Sequence, residues 1–171
     1  MFLQFHVFIS LIGMFAGLVV LYGLLRGALD AGWTALFLAT TVLTSATGFP
    51  LPPFGFDPPR AVGVLSLLLL TLAVIAFYGF RLAGAWRLGF VFAAVTALYL
   101  NVFVGVTQAF QKLSFLKPLA PTLTEPPFLG TQLAVLAVFV LLGLLAATRR
   151  QRLTPAPGLR ASPPAAKRKM Q

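Results

Sequence analysis

The chain of 171 residues contains no cysteine, one histidine and only three acidic residues. The lack of cysteine excludes disulfides, thiolate metal sites and cysteine nucleophiles. A single histidine cannot supply two axial ligands, so haem ligation by two histidines of one chain is excluded. The sequence also lacks a nucleophile elbow, a phosphate-binding glycine loop and a metal-spaced set of His, Asp and Glu. We therefore expect a protein that is not an enzyme and that uses neither cofactor nor metal.

Charge is scarce as well, whereas apolar residues are abundant. Only 9% of the residues are charged and 59% are hydrophobic, against about 25% charged residues in soluble domains. A spanning helix needs roughly 20 mostly apolar residues, and lipid accepts only helices or closed barrels. The sequence therefore predicts an all-α bundle of five transmembrane helices within residues 1–147. The five apolar segments are 2–25, 33–48, 61–80, 88–110 and 129–147.

The remaining residues, 148–171, combine prolines with a cluster of basic side chains and show no apolar period. This composition predicts a disordered cytoplasmic tail. Such a cluster beside a membrane helix orients a protein and contacts anionic lipid headgroups. We therefore attribute the net charge of +10 to contact with the lipid bilayer, and we expect no nucleic-acid partner. The basic residues of the tail are Arg149, Arg150, Arg152, Arg160, Lys167, Arg168 and Lys169.

The basic residues outside the tail set the predicted orientation. With five spans and a cytoplasmic tail, Arg26, Arg81 and Arg87 join the tail inside, while the other three basic residues lie outside. The positive-inside rule then places the N-terminus outside. No basic residue precedes Arg26, so we expect the first segment to be a retained helix rather than a signal peptide. The short, threonine-rich segment 33–48 could instead be tilted or re-entrant, but an even number of spans would remove the charge asymmetry.

The fourth apolar segment carries the most suggestive polar side chains. Asn101, Gln108 and Lys112 share one helix face because they are spaced by seven and four residues, and Gln111 lies beside them. Amides in lipid need partners, so this face should look into the bundle. One interpretation is hydrogen bonding between helices, for example to the threonine-rich second segment. The other is a ligand pocket that opens outward, with Lys112 supplying charge. Possible neighbours in this pocket are Thr41, Ser45 and His6.

His6 lies near the outer end of the first segment, on one helix face with Ser10, Gly13 and Gly17. A lone histidine there is typical of a hydrogen-bonded or headgroup-facing residue, and a ligand or proton-relay role is the alternative. In the loops, Asp57 and Glu125 each precede two prolines and an apolar run. This pattern predicts a helix start after each acid.

Three strings of residues resemble a family of small uncharacterised bacterial inner-membrane proteins. They are WTALFLATTVLTSATGF at residues 33–49, ALYLNVFV at 97–104 and LAPTLTEPPF at 119–128. The resemblance covers about residues 6–147. It implies a bacterial origin and a multi-pass protein of the inner membrane, and it implies no activity or catalytic residue.

The favoured function is the binding of a small or lipidic ligand in the outward-facing pocket, or service as an accessory subunit of a membrane complex. Two alternatives remain open. One is a redox or quinone-linked subunit in which His6 is the contact residue. The other is an oligomeric transporter or channel, although no inverted repeat is detectable in five spans. A membrane-protein partner or a homo-oligomer is compatible with each of these functions.

Overall fold

The computed structural model describes residues 1–49 and 58–154. The chain is mostly helical, which confirms the coarse prediction of an all-α bundle, and the two strands among the described residues have three residues each. A short 3-10 helix, Lys117–Leu119, precedes the last helix. The main elements are α1 (Phe2–Arg26), β1 (Ala28–Asp30), α2 (Ala31–Gly48), α3 (Pro58–Val74, continued by a π-helix over Ile75–Gly79), α4 (Trp86–Lys112), α5 (Pro126–Thr148) and β2 (Arg152–Thr154).

Four of the described helices are long and apolar enough to cross a membrane. They are α1, α3 with its π-helical end, α4 and α5. The helix outside this set is α2, which has 18 residues and carries five threonines and a serine. The described residues therefore form five long α-helices, but length and composition qualify only four of them as candidate spans, against the five predicted. Many large apolar side chains point outward, as lipid contact requires; Leu68 is 65% exposed and Leu133 is 66% exposed.

Successive helices run antiparallel and bring the loops together at two ends. α1 packs against α2 and α4, α3 lies between α2 and α4, and α5 contacts both α4 and α1. We call the end of the bundle formed by residues 26–31, 80–87 and 148–154 the basic end, and the opposite end, formed by the N-terminus and residues 48–49, 58–60 and 112–125, the far end. The described basic end carries Arg26, Arg81, Arg87, Arg149, Arg150 and Arg152. The far end carries Arg60, Lys112 and Lys117.

Small residues let the helices approach closely in the centre of the bundle. Ala16, Ala93 and Ala97 have no exposed surface. At Gly17 a Cβ would lie 2.5 Å from Leu98 Cδ1 and 2.9 Å from Phe37 Cε2. A side chain at position 17 would therefore force the side chains of Leu98 and Phe37 to shift, because interiors are packed to near-crystal density.

The basic end is held together by hydrogen bonds between distant parts of the chain. β1 and β2 pair in parallel, with Leu29 opposite Leu153. Gln151 Nε2 donates to the carbonyl oxygen of Leu24 at 2.9 Å, at the end of α1. The disordered tail expected over residues 148–171 stays a prediction; the structure describes its first seven residues, 148–154. α5 extends to Thr148, and the segment after it pairs with the α1–α2 connection; residues 155–171 lie outside the described part.

The connection between α3 and α4 is tight and places Arg87 in the first turn of α4. Arg81 and Leu82 adopt positive φ angles of 47° and 60°, which are uncommon for residues other than glycine. Phe80 stacks on Trp86 with ring centroids 3.9 Å apart. Arg87 Nη1 then donates to the carbonyl oxygens of Ala147 (2.9 Å) and Arg149 (2.6 Å), so it satisfies carbonyls at the end of α5.

Candidate functional site

The face of α1 that carries His6, Ser10, Gly13 and Gly17 packs against α2, along a row of threonines. At the far end, His6 Nδ1 and Thr47 Oγ1 share a hydrogen bond of 2.9 Å. Two turns deeper, a Cβ on Gly13 would lie 3.2 Å from Thr40 Oγ1 and 3.3 Å from Thr41 Oγ1. The absence of a side chain at Gly13 thus lets α1 come close to the hydroxyl groups of α2.

Asn101 reaches the same position from α4. Its Nδ2 lies 3.6 Å from the position of a Cβ on Gly13. Two of the predicted site residues, Asn101 and Thr41, therefore meet where α1, α2 and α4 come together. The Asn101 amide thus lies on the side of α4 that faces α1 and the threonine-rich α2.

Three polar atoms in this region have no hydrogen-bond partner among the described residues: Thr41 Oγ1, Thr44 Oγ1 and Asn101 Nδ2. We call Thr41, Thr44 and Asn101 the polar trio. Thr41 is 1% exposed and Thr44 is 9% exposed. A buried polar group without a partner costs about 1–3 kcal/mol. Such a group in a native protein calls for an explanation, for example a bound water or ligand.

The hydroxyl groups of the trio differ from those of neighbouring threonines. Thr34, Thr40 and Thr47 each donate to the carbonyl oxygen four residues earlier in the helix, which is the usual way to satisfy a threonine inside a helix. Thr41 and Thr44 make no such bond among the described contacts. Their hydroxyl groups are therefore available to a partner from outside α2.

His6 lies between the trio and the far end of the bundle. From His6 to Gly13, α1 rises by about 10 Å, at 1.5 Å per residue. The imidazole also lies within electrostatic reach of Lys112, the last residue of α4. A polar column consisting of His6, Thr47 and the trio thus extends from the far end toward the middle of the bundle.

The other predicted site residues do not join this column. Gln108, Gln111 and Lys112 are exposed, although Gln108 shares a helix face with Asn101. Ser45 is partly buried, and its backbone oxygen lies 3.9 Å from the position of a Cβ on Gly63, at the contact between α2 and α3. The fold therefore does not bring all seven predicted site residues together around one pocket.

Gln132 of α5 is a polar residue that the sequence interpretation missed. It is buried, and its Nε2 donates to the Phe103 carbonyl oxygen at 3.1 Å and to Thr107 Oγ1 at 3.2 Å. The only signal in the sequence was a single amide within an otherwise apolar run. Hydrogen bonding between helices, which we expected between the fourth and second segments, is thus found between α4 and α5.

Two apolar grooves are open on the sides of the bundle. One, of about 400 Å³, lies between α2 and the basic end of α3. The other, of about 460 Å³, lies between α4 and α5. Neither is lined by a predicted site residue, so the grooves and the polar column are separate features of the molecule. The described residues include no group of three or more His, Asp or Glu side chains placed to hold a metal.

Glu125 precedes α5, as the Glu-Pro-Pro pattern predicts, whereas Asp57 lies outside the described residues. Desolvation acts to raise the pKa of Glu125. Hydrogen bonds donated by the Thr122 hydroxyl (2.8 Å), the Thr122 N–H (3.1 Å) and the Thr124 N–H (3.0 Å) outweigh it and lower the pKa below its ordinary value. The carboxylate therefore holds the turn before α5 in place.

Comparison of the chain with protein-family models, with curated proteins and with solved structures found no match. The resemblance to bacterial inner-membrane proteins consequently stays a prediction. The function is therefore inferred from the residues of this chain and their geometry.

Proposed function

We propose that this chain is a non-enzymatic, multi-pass membrane protein that binds a small polar ligand, or the polar group of a lipidic one, at the polar trio. The observation that supports this proposal is the set of three buried polar atoms, from two helices, without partners among the described residues. Lipid offers no hydrogen bonds, so a ligand or water inside the bundle would have to supply them. The hydrogen bond between His6 and Thr47 continues the row of polar groups from the trio toward the far end.

We further propose that all five helices cross the bilayer, with the N-terminus outside and the basic end in the cytoplasm. With 18 residues, α2 is about 27 Å long, close to the roughly 30 Å thickness of the hydrocarbon core. Six described basic residues at one end against three at the other favour this orientation. The resemblance in sequence favours a bacterial inner membrane as the location.

Native mass spectrometry of the intact protein, purified in mild detergent, tests the proposed ligand site. We expect the wild type to retain a bound small molecule or lipid, and we expect Gly13→Ala to lose it. The added methyl group would lie 3.2–3.6 Å from Thr40, Thr41 and Asn101 and so cover two members of the trio, Thr41 and Asn101. Gly130→Ala is the matched control, because a Cβ at that position of α5 would meet no described atom within 4 Å beyond its own stretch of helix.

Thr41→Val separates a ligand site from ordinary packing. It replaces an unpartnered hydroxyl with a methyl group of similar size, so an empty site predicts a higher melting temperature together with unchanged mass spectra. A ligand site predicts loss of the bound species, as for Gly13→Ala. Retention of the same species by both variants would overturn the proposal.

A second candidate function, accessory subunit or homo-oligomer, is favoured by the exposure of α5. Only 17% of the most apolar part of this helix is buried inside the bundle. Its outward side chains Leu133 and Leu144 are 66% and 64% exposed. A mass measurement in detergent distinguishes a monomer from an oligomer that covers this face.

A further inference from the structure

The groove between α4 and α5 extends along the half of the bundle that lies toward the basic end. Its volume of about 460 Å³ lies within the roughly 300–1,000 Å³ that is typical of small-molecule sites. The lining is almost entirely apolar, with Phe92, Val140 and Leu144 as its most exposed residues. Gly143 forms part of the floor, where a Cβ would lie 3.4 Å from Val95 Cγ1.

The length of the groove corresponds to one leaflet of a bilayer. On α4 it runs from Leu88 to Tyr99, a rise of about 16 Å at 1.5 Å per residue. Half of a hydrocarbon core of roughly 30 Å is about 15 Å. The groove begins at the basic end, where Leu88 and Ala147 line it, and ends at Tyr99 and Leu136. A single acyl chain that enters from the basic end would therefore fill it.

Arg87 marks the entrance to the groove. It is half-buried and directly precedes Leu88, a lining residue. Both hydrogen bonds that fix it use Nη1, one to the carbonyl of Ala147 and one to the carbonyl of Arg149. Nε and Nη2 have no hydrogen-bond partner within residues 1–49 and 58–154 and so remain as a planar pair of donors, which is the arrangement that binds phosphate oxygens bidentately. Arg149 and Arg150 add positive charge at the same end.

We propose that the α4–α5 groove binds one anionic phospholipid from the leaflet at the basic end. The acyl chain lies between Phe92 and Val140, and the phosphate lies at the Nε–Nη2 edge of Arg87. Basic pockets between transmembrane helices on the cytoplasmic side are known to favour anionic headgroups. This site is separate from the polar trio, so the inference rests on the proposed orientation in the membrane but not on the proposed ligand site.

A second protein helix fits these observations less well than a lipid. A helix that packed on α4 and α5 would extend over the full depth of the membrane, whereas the groove covers only the half that starts at Arg87. The apolar part of such a helix would also bring no anion to the guanidinium. A second copy of this chain, in particular, would bring further arginines to an end that is already basic.

Native mass spectrometry with added lipid tests the proposal. Delipidated full-length protein is titrated with phosphatidylglycerol and, separately, with phosphatidylcholine of identical chains. We expect one phosphatidylglycerol per chain to bind at least fivefold more tightly than phosphatidylcholine. Arg87→Lys keeps the charge but loses the planar pair of donors, so it should reduce this preference severalfold. Arg152→Gln removes a charge from an exposed residue of the same end and should change it by less than twofold.

A variant inside the groove tests the acyl-chain part of the proposal. Gly143→Leu places a side chain on the floor of the groove and should weaken binding of both lipids, while circular dichroism remains unchanged. Equal affinities for the two lipids, or an unchanged preference in Arg87→Lys, would overturn the proposal. A dimer in which the α4–α5 groove is occluded would overturn it as well. Loss of ligand from the polar trio alone would leave these results unaffected.

Discussion

The two halves of the bundle satisfy their polar groups to different degrees: among the described residues, one buried side-chain atom at the basic end, Gln151 Oε1, has no hydrogen-bond partner, whereas four have none in the half toward the far end. At the basic end, Arg87 and Gln151 donate to carbonyl groups at the ends of α5 and α1, although water is close by. In the half toward the far end, the hydroxyl groups of Thr41 and Thr44 and the amide of Asn101 are buried without a partner among the described residues. Stability alone would favour the reverse distribution, because an unpaired polar group costs most where water is absent. The hydrogen bonds at the basic end therefore stabilise the fold, whereas the buried polar groups of the far half are available to bind a ligand or water.

The largest expected effect on stability comes from disrupting the contact between α1 and β1 at the basic end. A Cβ on Gly23 would lie 2.7 Å from the Ala28 carbonyl oxygen, which belongs to the backbone of β1 and cannot rotate away. We expect Gly23→Ala to destabilise the protein by about 1–3 kcal/mol, the usual cost of overpacking. The melting temperature in detergent measures this loss.

Gly130→Ala supplies the control for this substitution. The position is open and helical, so an added methyl group should be neutral or stabilise the helix by roughly 0.4–1 kcal/mol. If Gly23→Ala and Gly130→Ala have the same melting temperature, the β1 connection is not a rigid part of the fold.

At the polar trio we expect a smaller change in stability, of opposite sign. In protein from which bound molecules have been removed, Asn101→Leu should raise the melting temperature by the equivalent of about 1 kcal/mol, because an unpartnered amide costs roughly 1–3 kcal/mol and repacking offsets part of the gain. Gln132→Leu is the comparison, since this amide donates to Phe103 and Thr107 and its loss should lower the melting temperature. A loss of stability in Asn101→Leu would mean that the amide is already satisfied.

The sequence predicted the polar trio better than the contacts of the basic end, for physical reasons. Helix periodicity placed Asn101 on an inward face and threonines opposite it, because both are local properties of a helix. The same periodicity failed for Gln108, since sharing a face with Asn101 does not determine which neighbour covers it. β2 and Gln151 could not be predicted, because their partners in β1 and at Leu24 lie more than 120 residues away. The number of candidate spans depended on α2. Its threonines lower its mean hydropathy, although some of them face α1.

The smallest expected effect concerns pH and the turn before α5. The lowered pKa of Glu125 means that its carboxylate stabilises the folded turn above the ordinary glutamate pKa of about 4.3. This contribution should be lost as the pH falls through the lower, folded-state pKa, because protonation removes the acceptor for Thr122 and Thr124. Hydrogen exchange at the Thr122 and Thr124 amides should therefore show protection that declines below about pH 4, after correction for the intrinsic exchange rate. Glu125→Gln should show weak protection at every pH, since a neutral amide is a poorer acceptor than a carboxylate. Protection that is independent of pH in the wild type would instead assign the turn's order to Pro126 and Pro127, whose fixed φ angles begin α5.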